Sequence, residues 1–367
     1  MIDYIKIAGF KSIREMELEL MPINLFIGSN GSGKSNFIAF FKLLNAIFNS
    51  RLQKYIMEEK TDNILYFGRK HTEILSGKVI FSEDEINNNA YFFYLAQTKE
   101  GGLFLEKEGS GYNVSTDNEI LNYFQNDYLD ESKFAKSNFN RDVFLRNYIS
   151  NLQIFHFHDT SATSLLRGES DINDNRYLKQ DGRNLAAFLH LLKEKYPKNY
   201  ARILKTIQSI APYIDNFILE PNRLNEQQIA LRWIDKGDSE SNFSAYQLSD
   251  GTLRFIALAT LLMQPEPPAI IIIDEPELGL HPFAIVKLAG MIQSVSTKSQ
   301  IIAATQSPSL ISHFSPENVV VIDKSQSENQ SIFRRLNTDS LKNWLQDYSL
   351  GDLWERNILN AAQPFMK

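Results

Sequence analysis

Residues Asp3 to Phe10 alternate apolar and polar positions with a period of two, which predicts a half-buried strand. After a turn at Lys11 and Ser12, a second alternating run from Met16 to Leu20 leads to Pro22, and the apolar stretch INLFI then runs straight into glycines. From Asn36 to Phe48 apolar residues recur at helical spacing. Residues 74 to 116 return to strand-like runs, ILSGKVIF, AYFFYLA and LFLEKEG, separated by Gly, Asn and charge; they read as antiparallel hairpins beside the first α/β unit. Residues 119 to 150 are Asn-rich and read as helical in part. A β-like run, LQIFHFH, follows, and the polar stretch from Thr160 to Gly182 lacks periodicity, which predicts a mobile segment.

Helices are expected at 184 to 195 and 198 to 212, then strand-like runs FILEP and QQIALRWI ending at the turn KGDSE. Beyond that turn the pattern is regular α/β: a helix from about Gly251 to Met263, the strand AIIIIDE, a helix from Pro282 to Val295, and the strands QIIAAT and NVVVID. A solid run such as AIIII suits a strand buried on both faces of a parallel sheet. Neither a repeat of 20 to 50 residues nor sustained heptads occur, so a solenoid and a long coiled-coil arm are both excluded.

At 367 residues, with 43% apolar and 22% charged, the chain has the makeup of a globular protein with a large core. The net charge of -6 gives no global footprint for nucleic acid. Lys193, Lys195, Lys198, Arg202 and Lys205 nevertheless crowd one helical stretch, read first as a solvated face and second as a local patch for DNA. The lack of cysteine excludes disulfides and thiolate metal sites. Apolar runs such as Phe255 to Met263 fall short of the ~20 residues that span a bilayer, and MIDYIKIAGF does not have the plan of a secretion signal. A cytoplasmic protein without membrane contact is expected.

Gly28-Ser29-Asn30-Gly31-Ser32-Gly33-Lys34-Ser35 fits G-x-x-x-x-G-K-[ST] between a strand and a helix. Backbone N–H groups of such a P-loop, with Asn36 in the first helical turn, wrap the phosphates of ATP; Lys34 reaches the β and γ phosphates and Ser35 ligates Mg2+. Asp274 and Glu275 close the buried strand AIIIIDE, where parallel sheets place their ligand crevice. Asp274 is expected in the Mg2+ shell, and Glu275 as the residue that orients or deprotonates the attacking water. Leu248-Ser249-Asp250-Gly251-Thr252 stands before an apolar helix and about twenty residues ahead of the acidic strand, an anion site at a helix start.

In this order the motifs resemble those of ABC-type ATPases, and the chain resembles SMC/RecF-like, OLD-related AAA family ATPases with an ABC-type head. The resemblance covers most of the chain and is specific in IKIAGFKSI, LFIGSNGSGKSNF, LSDGTLRFIALATLL, and IIIIDEPELGLHP with IIAATQSP. It implies an α/β P-loop NTPase of ABC/SMC-head type, with a mixed sheet, an antiparallel β patch and a helical signature lobe. The expected divisions are an N-terminal ATPase lobe (1–158), a helical insertion and signature lobe (159–265), a Walker B and switch part (266–340) and a helical tail (341–367). It also implies that Ser249 and Gly251 of one chain contact the γ-phosphate held by another. Glu277 to His281 fall where the D-loop lies, and Lys11 approaches the nucleotide. Gln306 stands at the switch position, where glutamine can hydrogen-bond but cannot carry a proton. Gln153 is the candidate Q-loop ligand of the metal, with strand packing as the alternative.

His156 and His158 share one side of a strand and could suit a metal, but no third ligand is near in sequence, so packing or hydrogen bonding is favoured. The tail from Tyr348 to Asn357 is expected to pack on its own head or to dock a partner. One P-loop and one signature per chain predict an ATP-dependent homodimer, a slow ATPase acting as a switch for a separately encoded effector in bacterial defence. The alternatives are a RecF-like repair factor gripping DNA and a scaffold that binds ATP with little turnover.

Overall fold

The computed structural model describes residues 1–82, 88–112, 121–136, 140–149, 152–325 and 328–359. Its central element is a six-stranded mixed sheet in the order Ser331–Arg335, Val319–Lys324, Ile23–Ile27, Gln300–Thr305, Ile270–Asp274, Gln153–Phe155. Neighbours run parallel except at the Ser331–Arg335 edge. The register sets Thr305 beside Ile27 and Ala304 beside Asp274, so the carboxyl ends of these strands share one rim.

Strand alternation divides the interior in two. Ile271, Ile273, Ile301, Ala303, Leu25 and Ile27 enter one core, which also holds the helices Leu185–Lys195, Pro197–Ile210, Asp250–Met263 and Pro282–Val295. Ile270, Ile272, Ile302, Ala304 and Phe26 enter the other, with helix Lys34–Phe48. A second, wholly antiparallel sheet covers that helix, in the order Ile13–Glu19, Ile2–Phe10, Ile74–Ser82, Asn88–Gln97, Leu103–Tyr112, Leu121–Leu129. Phe40 therefore meets Phe10 at 5.7 Å and Phe93 at 6.0 Å between ring centroids. Sandwiching between two sheets explains why the helix is apolar nearly all round.

The predicted strands and helices up to Phe48 and beyond Leu248 fall where expected, to within a residue or two at most ends. Of the Asn-rich stretch, Asn140–Ile149 is helical, while Leu121–Leu129 pairs as a strand along Leu105 to Gly111. Cross-strand pairing decides there over local composition. Residues 119, 120, 137–139 and 150, residues 83–87 and 113–116 of the hairpin region and residues 360–367 of the tail lie outside the described residues. The run QQIALRWI is split: Asn225–Ala230 pairs with Glu169–Asp171, and Arg232–Asp235 with Ile214–Ile218 and Asp238–Ser244.

The polar stretch from Thr160 to Gly182 is not a loose segment. Besides that strand pairing, the buried Asn184 side chain donates to the carbonyls of Asp174 (2.7 Å) and Tyr177 (2.8 Å) and accepts from Lys179 N (2.9 Å). Side-chain to backbone bonds replace periodicity as the ordering force, which hydropathy spacing cannot reveal. Among the described residues no helix is long and apolar enough to cross a membrane.

Candidate nucleotide site

Gly28 to Gly33 turn the chain from strand Ile23–Ile27 into helix Lys34–Phe48. Gly33 has φ 121°, and a Cβ there would lie 2.3 Å from Ser331 Oγ, so the position accommodates only glycine. No side chain caps this helix, which leaves its first N–H groups available to an anion. Ser29, Asn30, Gly31 and Ser35 are exposed, whereas Gly28, Ser32, Gly33 and Lys34 are buried. Lys34 Nζ donates to Gly28 O at 2.5 Å and Ser29 O at 3.1 Å. Burial lowers its pKa, against the pull of the carboxylates of Glu275, Asp274 and Glu277. Ser331 braces the loop, donating to Ser32 O at 2.5 Å, while Ser12 Oγ lies 2.7 Å from Ser331 Oγ and accepts from Asn36 Nδ2 at 2.8 Å. Asn36 is thereby engaged with Ser12. Among the described residues the buried Ser32 Oγ has no hydrogen-bond partner.

Asp274 ends its strand on the same rim. Burial raises its pKa, with the nearby His158 opposing, and the His158 ring Nε2 lies 2.7 Å from the Asp274 carbonyl oxygen. Glu275 takes a left-handed φ of 41° while its N–H donates to Ala304 O at 2.8 Å, turning its side chain out of the sheet's alternation. Its carboxylate accepts from Gln306 Nε2. Glu277 is half-buried, desolvation raises its pKa, and its Oε1 accepts from Thr305 Oγ1 (2.6 Å) and Gln306 N (3.0 Å). Two acids two residues apart thus hold Gln306 by side chain and backbone. Among the described residues no group of three or more His, Asp or Glu could hold a metal alone. The Ser35 hydroxyl and Asp274 carboxylate are the hard oxygen donors that suit Mg2+, which completes its shell with substrate phosphates and water.

Ser249 caps helix Asp250–Met263, accepting from Thr252 N at 3.1 Å. Two arginines that the motif reading did not single out lock this segment. Arg167, from the polar stretch, donates to Asp250 Oδ1 (2.7 Å) and to the carbonyls of Thr160, Ala245 and Leu248. Arg254 donates to the carbonyls of Phe157 (2.8 Å), His158 (2.7 Å) and Leu278. A Cβ on Gly251 would meet Gly279 O at 2.4 Å, so the signature segment and the loop after Glu275 are in backbone contact. The only early signal was Arg254's place in the run LSDGTLR.

The structure does not bring Gln153 to Ser35 and Asp274. It pairs with Ile271, short of the rim, and alternates with Ile154 toward the face opposite helix Lys34–Phe48; its buried Oε1 has no partner among the described residues. Lys11 has φ 48° and its Nζ pairs with Glu59 at 3.0 Å. With Ser12 and Asn36 it lines a cleft of about 880 Å3 that runs on to Tyr66, Phe67 and Arg69. His156 is half-buried, and desolvation pushes its pKa down to about 4.

Among curated proteins no sequence match to the chain is found. Among solved structures, the chain is similar to an SMC head bound to the C-winged helix domain of ScpA (TM-score 0.61, 14% identity, covering 93% of this chain and 99% of that one). It is similar also to the Thermotoga maritima SMC head domain (0.51, 14%, 92% and 99%) and to the Pyrococcus furiosus Smc head with an extended coiled coil bound to the C-terminal domain of ScpA (0.56, 14%, 94% and 98%). These likenesses establish a P-loop NTPase fold of SMC-head type. The family described as "AAA domain, putative AbiEii toxin, Type IV TA system" matches residues 23–312. With the matched segment containing the P-loop, the signature segment and the acidic strand, the chain belongs to this AAA_21 family of SMC/ABC-type ATPases.

Proposed function

We propose that the protein is an ATP-hydrolysing switch that closes as a homodimer and passes its state to a separately encoded partner protein in bacterial defence. The observation that carries this reading is the placement of helices Lys34–Phe48 and Asp250–Met263 on opposite faces of one sheet. Among the described residues no hydrogen bond joins residues 248–252 to residues 28–36, and Ser249 spends its side chain on its own helix. A second chain is then needed to bring Ser249 and Gly251 to the γ-phosphate. The complexes of similar heads with ScpA domains fit a head that works through a partner.

In each pocket the N–H groups of Gly28 to Asn36 and the Lys34 ammonium hold the phosphates. The cleft beyond Lys11 and Asn36 receives base and ribose. Ser35 and Asp274 would hold Mg2+, which would supply charge neutralisation for the phosphates. Glu275 takes the proton of the attacking water, and Gln306 fixes the carboxylate that does so. Arg167 and Arg254 keep the signature segment in register with the acidic rim.

Mixing two inactive variants tests the shared pocket. Ser249→Arg blocks the partner's pocket and Lys34→Ala disables its own, so mixed dimers hold one doubly damaged and one intact pocket. About one quarter of wild-type ATPase should return if pockets act independently. No recovery, with mixed dimers formed and ATP bound, would leave a P-loop ATPase working in cis.

A further inference from the structure

Away from the nucleotide site, helices Pro197–Ile210 and Pro282–Val295 flank a groove of about 450 Å3 whose floor is the last turn of helix Asp250–Met263. The walls carry Asn199, Arg202 and Thr206 from one helix and Val286, Lys287, Gly290 and Met291 from the other, each set at the spacing of one helix face. Lys298 closes one end, and Leu262, Met263 and Pro267 make the floor apolar. Gly290 contributes no side chain, and a Cβ there would have nothing within 4 Å, so the groove is open at that point. Val286 is 46% exposed.

The charge of the groove is one-sided. Arg202, Lys287 and Lys298 line it, exposed Lys198 and Lys205 continue the rim along the first helix, and among the described residues no acidic one lines it. None of the five forms an ion pair among the described residues. A chain of net charge -6 thus keeps a cationic, apolar-floored slot between two helices. Nucleic acid would use the cations but not the floor, because a phosphate backbone has nothing to place on Leu262, Met263 and Val286. A third helix satisfies both, its apolar ridge entering the groove and its flanking carboxylates meeting the rim.

We propose that this groove is the docking site for an acidic amphipathic helix of the partner protein, with apolar anchors at i, i+3, i+4 and i+7. This rests on the proposed switch only in taking the docked protein as its receiver; docking itself needs no turnover. Helix Asp250–Met263 has Ser249 at its start and the groove at its end, about 20 Å apart. The partner would sit on the element that senses the γ-phosphate.

The probe is a fluorescein-labelled sixteen-residue helical peptide of Leu anchors and Glu flanks, compared with its Lys-flanked counterpart and a labelled DNA duplex by anisotropy. Saturable binding of the acidic peptide is expected, weakened at least tenfold by Gly290→Phe, which fills the groove, and by Lys287→Glu with Lys298→Glu. The charge-reversed pair should gain the Lys-flanked peptide. Peptide binding indifferent to both variants, no binding by the folded wild type, or DNA binding lost in both variants while the acidic peptide does not bind would overturn the proposal. Nucleotide binding and ATPase of the same variants are measured in parallel. Loss of ATPase in wild type with peptide binding intact would count against the switch and not against the groove.

Discussion

The side-chain amide of Gln306 donates to the carboxylate of Glu275, and the backbone N–H of Gln306 donates to Glu277 two residues on. A residue that cannot carry a proton is therefore tied to the acid proposed above as the base. Glu275→Gln should bind ATP as wild type does and lose about 10²–10⁴-fold in turnover. Gln306→Ala, which frees the carboxylate without removing it, should lose about tenfold in kcat with ATP affinity unchanged, the equivalent of ~1.4 kcal/mol in the barrier. Steady-state ATPase with a separate nucleotide-binding titration tells the two apart. Turnover at the wild-type rate in Glu275→Gln would mean that Glu275 is not the base.

Lys34→Ala removes the one buried ammonium at the phosphate loop while leaving the glycine turn intact. Charge-assisted hydrogen bonds of this kind are worth about 1.5–3 kcal/mol, so ATP affinity should fall roughly 10- to 100-fold. Titration with a fluorescent ATP analogue measures it. An unchanged affinity would detach the lysine from phosphate binding.

Gly251→Ala puts a methyl group 2.4 Å from Gly279 O, a backbone atom that can yield only by shifting the loop after Glu275. A cost of about 1–3 kcal/mol in stability is expected, with a further loss of ATPase in the protein that remains folded. Urea unfolding gives the first quantity. A fully stable and active variant would show that the two segments do not bear on each other.

His156 titrates near 4 when folded, against 6.5 when unfolded, because burial disfavours its charged form. Between those values the unfolded chain binds more protons, so stability rises with pH. The contribution is whole above pH 6.5 and is lost as pH falls toward 4. His156→Gln should flatten the stability profile over this window by about 1–2 kcal/mol, a figure reduced for the ring's partial exposure. Thermal midpoints of both proteins from pH 7 to pH 4.5 provide the comparison, and parallel profiles would place the pH dependence elsewhere.

The segments read as candidates for the nucleotide site stand out in the sequence because each has a local signature. Glycine spacing before Lys34, the isoleucine run before Asp274 and the Ser–Gly pair before an apolar helix all declare themselves within a dozen residues. What escaped was contact between distant segments. Arg254 reaches carbonyls nearly a hundred residues earlier, and Arg167 meets Asp250 across a similar span. Backbone carbonyls are acceptors that every residue offers, so no residue type marks the recipient. Gln153 was misdirected for a related reason. Its distance from the rim follows from pairing with Ile271, and the register of a short edge strand is not written in its own three residues.

The division of the interior by strand Ile270–Asp274 has a further consequence. Ile271 and Ile272 are consecutive and chemically identical, yet one touches the side of the signature helix and the other the side of the phosphate loop. A small change at either, such as isoleucine to valine, is felt first by a different half of the fold, so adjacent codons tune opposite halves of the protein almost independently. The same strand forbids sliding as a way of relaying motion, because a shift of one residue would exchange every side chain between the two compartments. Movement between the halves must therefore travel as rotation or bending of the whole sheet.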